Sequence, residues 1–169
     1  MGKFRPIRVC SNVVKLLEAR LLPALTKWGR LNLMDQFGFI RGVGCESVRT
    51  FVFREMVCLQ NNKIPFYVVQ LDLTSAYNTV NLWILKQLIL RNNFWSKEEV
   101  ELWEFIVTNS YTRLGTHTIK DVNGLPQGSL LSPMLFNLYI NGLLVRVREI
   151  RQSRTIAYAD DLITISPSL

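Results

Sequence analysis

Three aspartates carry the clearest chemical signal in this chain. Asp160 and Asp161 are adjacent in a short polar break between two apolar runs, RTIAY and LITIS. Asp72 interrupts a third apolar run, PFYVVQLDL. Runs of this composition are normally interior, where a carboxylate is costly unless paired. Asp is also a favoured turn residue, which by itself accounts for Asp160-Asp161 but not for Asp72. If the strands are neighbours, carboxylates 88 positions apart converge. Like charges so close repel, and burial would push their pKa values up. Divalent cations remove that cost. Mg²⁺ takes a few carboxylates together with substrate phosphate oxygens. Two such ions about 4 Å apart activate a hydroxyl and stabilise a leaving pyrophosphate in phosphoryl transfer.

A second segment, GLPQGSLLSP over residues 124–133, places two glycines around Pro126-Gln127. Glycine lets a backbone come close to a planar ligand, and Gln127 can donate and accept hydrogen bonds there. A loop leading into a helix accounts for the glycines and the proline. It does not account for the glutamine between them.

The elements that must hold these groups are legible from periodicity and breakers. Residues 4–10 read as extended, since Pro6 keeps its predecessor out of helix. Residues 12–30 read as a helix capped by Ser11 or Asn12, with Val13, Leu17, Leu21 and Leu25 near one face and a possible kink at Pro23. Gly38, Gly42 and Gly44 mark a loop. A second helix is expected from Glu46 to Leu59, ended by Asn61-Asn62. Pro65 to Leu73 is rich in aromatic and β-branched residues and predicts a strand. Helices follow over 81–90 and 97–109, the latter opened by a Ser96/Glu99 capping box. Residues 112–122 predict a hairpin and 124–128 a turn. Pro133 suits the first turn of a long helix running to about Arg148. Two strands, 154–158 and 162–166, flank Asp160-Asp161 as a second hairpin.

Composition bounds the rest. The chain has 169 residues, with 49% hydrophobic and 20% charged, which excludes a disordered class. Residues 1–70 hold 11 Lys/Arg against 4 Asp/Glu, whereas residues 71–169 hold 9 of each, so all of the +7 net charge lies in the first part. A basic lobe joined to a neutral one suits a polyanionic partner such as nucleic acid or nucleotide phosphates, although a solvated basic face would give the same count. Three cysteines without tight spacing and a single histidine, His117, argue against a disulfide framework or a zinc site. A reducing, intracellular setting follows, whether nucleus, organelle or bacterial cytoplasm. The charge-free stretch 122–145 contains Pro126, Gln127, Pro133, Asn137 and Asn141, which makes a membrane span a poor reading.

LDLTSAY (71–77), GLPQGSLLSP (124–133) and AYADDL (157–162), in this order and at these distances, resemble motifs A, B and C of reverse transcriptases. FRPI (4–7) and QFGFIRG (36–42) resemble the first two fingers motifs. The wording of the second and third motifs is similar to LINE-type retrotransposons without terminal repeats, and slightly less to group II intron proteins. The resemblance implies an α+β right-hand polymerase fold, with fingers over 1–64 and an incomplete palm over 65–169. The palm would be an antiparallel RRM-like sheet covered by helices.

By that resemblance, Asp72, Asp160 and Asp161 match the catalytic, metal-binding aspartates. Asp72 and Asp160 would be direct ligands of two Mg²⁺ ions, or Mn²⁺ in their place, and Leu73 could add its carbonyl. Tyr77 falls where the family places an aromatic steric gate against the 2′-hydroxyl. Gln127 and Gly128 match the contacts to nucleotide and template. Arg5 matches the triphosphate-binding arginine, assisted by Lys3 and Arg8. Implied partners are an RNA template, a DNA or RNA primer and deoxynucleoside triphosphates, with no membrane.

The sequence departs from the family at two points. Asn78 stands where the LINE and intron types carry a second Asp, and Gly42-Val43-Gly44 replaces the usual Gly-Arg-Ser. The later palm motifs and the thumb have no counterpart in these 169 residues. The expectation is that activity needs a longer chain or a protein partner, and that the strand at 162–166 is less covered than its composition suits. The alternative function is a non-catalytic, reverse-transcriptase-derived RNA-binding or scaffold subunit of a ribonucleoprotein. Another two-metal enzyme, such as a nuclease, leaves Tyr77 and GLPQG without a task.

Overall fold

A computed structural model describes residues 9–109, 111–114, 116–120, 124–149 and 153–168. Five helices and five strands follow in the order α1 (Asn12–Asn32), α2 (Cys45–Asn61), β1 (Phe66–Asp72), α3 (Leu82–Asn92), α4 (Lys97–Thr108), β2 (Tyr111–Leu114), β3 (His117–Lys120), α5 (Ser132–Arg148), β4 (Arg154–Tyr158) and β5 (Asp161–Pro167). The expected extended piece at 4–10 lies almost wholly outside the described residues. Every other expected element is present, with bounds shifted by a few residues.

Local chemistry sets the helix boundaries. The Ser11 hydroxyl accepts from Val14 N at 3.3 Å and opens α1, which runs on through Pro23. Asn81 caps α3 by accepting from Trp83 N and Ile84 N. Ser96 and Glu99 form the reciprocal capping box of α4. Hydrogen bonds from the backbone and from Ser96 hold the Glu98 carboxyl below its usual range. Asn62 ends α2, its side-chain amide donating to Cys58 O at 2.8 Å.

The chain divides into two compact units, each built from separate stretches of sequence: residues 1–28 with 75–139, and residues 29–74 with 140–169. The first is helical, with β2 and β3 paired as a hairpin. Its core gathers Leu21, Leu25 and Trp28 of α1 with Leu85, Ile89, Trp95, Val100, Trp103, Leu131, Leu135 and Phe136. Indole donors are satisfied inside it: Trp28 Nε1 reaches Asn92 Oδ1 at 3.1 Å, and Trp95 Nε1 reaches Leu21 O at 3.0 Å. Val13, expected on the buried face of α1, is 69% exposed. Steps of four residues drift by about 40° each on a 3.6-residue helix, so Val13 has rotated off the face that Leu21 and Leu25 define.

The second unit holds a three-stranded antiparallel sheet in the order β1-β5-β4. Asp72 pairs with Asp161 at one end of the β1–β5 ladder and Phe66 with Pro167 at the other. Segment 35–37 lies parallel beside β4, through Phe37 N to Ala157 O at 2.8 Å and Ala157 N to Asp35 O at 2.7 Å. Ile156, Ala157, Leu162 and Ile165 are buried with Ile140 and Leu144 of α5.

Two burial expectations are corrected here. The strand at 162–166 is not the uncovered one, because β5 occupies the centre of the sheet, paired on both edges. The exposed strand is β1, with Tyr67 at 66% and Leu71 at 51%. An apolar strand is buried only where neighbours cover it, and an edge strand is open along one side. Asp72 therefore ends an exposed strand, where a carboxylate is well solvated. No helix among the described residues is long and apolar enough to cross a membrane.

Candidate active site

The site is built on the β1–β5 ladder. The 2.0-residue period of a strand gives cross-strand partners a common face, so Asp72 and Asp161 stand side by side. Asp160 precedes Asp161 in the turn between β4 and β5, and its carbonyl accepts from Leu73 N at 3.3 Å. The structure therefore sets Asp72 and Asp161 as cross-strand partners and ties Leu73 to Asp160 through the backbone. Asp72 and Asp161 are exposed and Asp160 is half-buried. No described residue supplies a hydrogen bond or a cation to any of the three carboxylates.

Three hard, uncompensated oxygen donors suit Mg²⁺, which binds through one or two carboxylates and keeps waters for exchange with phosphate oxygens. Among the described residues, no three acidic, histidine or cysteine side chains are drawn close enough to hold a metal by themselves. The set fits an ion whose coordination is completed by substrate.

The turn carrying Asp160 is strained. Tyr158 pairs with Asp161, leaving Ala159 and Asp160 as a two-residue loop. Ala159 has φ +57, in the left-handed region, and is the only one of the two with positive φ. That is the pattern of a type II′ turn, whose first central position favours glycine. An alanine there costs about 1–2 kcal/mol. The Cys45 thiol at the start of α2 raises the Tyr158 phenol above its usual range.

Tyr77, Gln127 and Gly128 belong to the helical unit. Tyr77 stacks on Phe136 of α5, with ring centroids 5.1 Å apart and planes at 13°. Its carbonyl accepts from Leu125 N at 2.8 Å. Gly124, at φ +79, lies so close that a Cβ would sit 2.5 Å from Tyr77 O. The first glycine of GLPQG thus serves the approach of Tyr77's own backbone rather than that of a ligand. Gly128 has φ +115 and is exposed, and Gln127 is half-buried with no hydrogen-bond partner among the described residues. Lys3, Arg5 and Arg8 lie outside the described residues.

Two further residues escaped the sequence reading. Glu18 of α1 is 2% exposed. Its carboxylate accepts from Ser129 Oγ at 2.6 Å and from Leu130 N at 2.9 Å, anchoring the loop that carries Gln127 and Gly128. The signal was a charge three and seven residues before Leu21 and Leu25, on the buried face. Glu18→Ala orphans both donors and is expected to cost about 2–4 kcal/mol by denaturant unfolding, with Glu18→Gln losing less. Gln36, 4% exposed, contacts the Ala159 turn directly.

The edge-to-centre ladder juxtaposes two aspartates beside a tight turn carrying a third. The whole chain, residues 1–169, matches the family described as Reverse transcriptase (RNA-dependent DNA polymerase), and it belongs to that family. A curated relative, the retrovirus-related Pol polyprotein from type-1 retrotransposable element R1 of Nasonia vitripennis, is 46% identical over 43 residues, covering 25% of this chain and 12% of that protein. Among solved structures, apo telomerase from Candida tropicalis shares the fold with a TM-score of 0.65 at 12% identity, over 90% of this chain and 31% of that one. Telomerase from Candida albicans, in complex with a fragment of telomeric RNA, also gives 0.65, at 9% identity over 92% of this chain and 31% of that one. The chain thus spans about a tenth of the retrotransposon polyprotein and about a third of the telomerase chains it matches.

Proposed function

We propose that this chain is the fingers and palm of an RNA-directed DNA polymerase, with residues 1–64 as fingers and 65–169 as palm. The observation that carries the proposal is the juxtaposition of Asp72 and Asp161 across β1 and β5, with Asp160 tied to Leu73. Bound divalent cations, Mg²⁺ or Mn²⁺, would supply charge neutralisation at the attacking 3′-hydroxyl and the leaving pyrophosphate. Asp72 and Asp160 would hold them, Asp161 would add negative charge, and the Leu73 carbonyl would complete the first turn of ligands. The partners are an RNA template, a primer and deoxynucleoside triphosphates, in a reducing intracellular compartment. A longer chain or a protein partner supplies the clamp on the primer–template duplex.

Tyr77 acts as the steric gate. Its ring is pinned by Phe136 and its backbone by Leu125, so it cannot yield to an extra hydroxyl without disturbing the core. Tyr77→Val is expected to raise ribonucleotide incorporation relative to deoxynucleotide by roughly 10- to 100-fold, read as a ratio of kcat/KM values.

One observation favours a second reading: the carboxylates are not drawn into a ready metal cluster. A subunit that binds RNA without catalysis would show that state permanently. Primer extension on an RNA template, with Mg²⁺ and deoxynucleotides, separates the two. Templated, chelator-sensitive extension supports the polymerase. RNA binding without extension by the complete assembly supports the scaffold.

A further inference from the structure

We propose that Gln36 is a positioning residue for the metal-binding turn, holding Ala159 in its left-handed conformation and thereby setting the direction of Asp160. This inference rests on the reading of Asp160 as a metal ligand.

The contacts are specific. Gln36 Nε2 donates to Ala159 O at 3.2 Å, and Gln36 Oε1 accepts from Ala159 N at 3.0 Å. One side-chain amide thus grips both polar groups of a single residue 123 positions away. The same Oε1 accepts from Gly38 N at 2.8 Å, which fixes the amide's own orientation. Gly38 is packed so tightly that a Cβ would lie 2.3 Å from Ala159 N. The Gln36 backbone is aligned by the bridge to Ala157, through Phe37 N and Asp35 O.

The grip acts on Ala159, the turn residue with positive φ. Glycine would enter the left-handed region freely, but residue 159 is alanine, so its conformation must be imposed from outside. The turn is also closed by the Tyr158–Asp161 pair of the β4–β5 ladder and tied to β1 through Asp160 O and Leu73 N, but neither of these contacts involves Ala159. Gln36 touches backbone alone and reaches no carboxylate, so it acts through Ala159 on Asp160. A buried amide whose hydrogen bonds go to Ala159 and Gly38 is costly to lose and is explained by the geometry it enforces.

The test is Mn²⁺ binding to the chain at saturating deoxynucleoside triphosphate, followed by loss of the free-ion EPR signal beyond that of a nucleotide-only blank, with circular dichroism as a check on folding. Gln36→Met is expected to weaken Mn²⁺ binding about 10- to 100-fold, as losses behind a ligand do. Adding Ala159→Gly to Gln36→Met should restore most of that affinity, because glycine takes the turn conformation unaided. A general packing role would give no such rescue. Wild-type affinity in Gln36→Met, alongside lost binding in Asp160→Asn, overturns the inference and leaves the metal reading intact. Binding that is insensitive to Asp160→Asn, or undetectable in the unsubstituted chain, overturns the metal reading and the inference with it. Amide exchange on the unsubstituted chain needs no variant: the Ala159 amide should be strongly protected, and rapid exchange there overturns the inference.

Discussion

Asp160→Asn is expected to reduce RNA-templated primer extension by on the order of 10³-fold, with RNA affinity unchanged. Asparagine preserves the size of the side chain and one oxygen but removes its charge. The loss of a ligand charge costs several kcal/mol in a transition state whose chief demand is neutralisation of phosphate oxygens. Asp72→Asn should fall as far, because Asp72 stands on the facing strand with no cation or donor from the described residues to compensate it. Asp161→Asn should also lose activity, since Asp161 is the cross-strand partner of Asp72. Single-turnover rates at saturating deoxynucleotide distinguish this from weakened binding: kcat falls while the affinity for primer–template holds. Unchanged extension in any of the three variants would remove that residue from the metal site.

Gly124→Ala is expected to destabilise the helical unit strongly. Alanine at φ +79 carries a left-handed penalty of about 1–2 kcal/mol. Its Cβ would also meet three backbone atoms, Tyr77 O at 2.5 Å, Asn78 Cα at 2.6 Å and Asn78 C at 2.8 Å. Backbone cannot swing aside as a side chain can, and overpacking of this kind adds about 1–3 kcal/mol. Together these take a large share of the roughly 5–15 kcal/mol that stabilises a domain. Gly142→Ala is the control. It lies in α5 with open space within 4 Å of the added carbon, and should gain about 0.5–1 kcal/mol from helix propensity. Urea unfolding of the two variants should move in opposite directions. Where Gly124→Ala still folds, displacement of Tyr77 should relax discrimination against ribonucleotides, the same signature as Tyr77→Val.

Local signals were legible in the sequence. Ser11, one of two caps offered for α1, and the Ser96/Glu99 pair write helix starts in residues a few positions apart, and the structure uses both; Asn81, read as the first helical residue of 81–90, is instead the cap of α3. The adjacency of β1 and β5 entered the sequence reading as a condition for Asp72 and Asp160-Asp161 to converge, and the structure supplies it. What the sequence hid depends on distant neighbours. The composition of β1 is that of an interior strand, yet its position at the sheet edge leaves it open. Glu18 and Gln36 meet partners 111 and 123 positions away, and no periodicity encodes such a contact. Gly124 was noticed for the right reason, a close approach, but the approaching group is Tyr77's backbone.

The central claim is that Asp72 and Asp160 hold the divalent ions of a polymerase. Diffraction from crystals soaked in Mn²⁺ and a deoxynucleoside triphosphate, collected at the manganese edge, tests it most directly. The account predicts anomalous density at the Asp72 end of the β1–β5 ladder, in contact with both carboxylates and with phosphate oxygens. Manganese bound elsewhere, with that strand end bare at saturating ion and nucleotide, would contradict it.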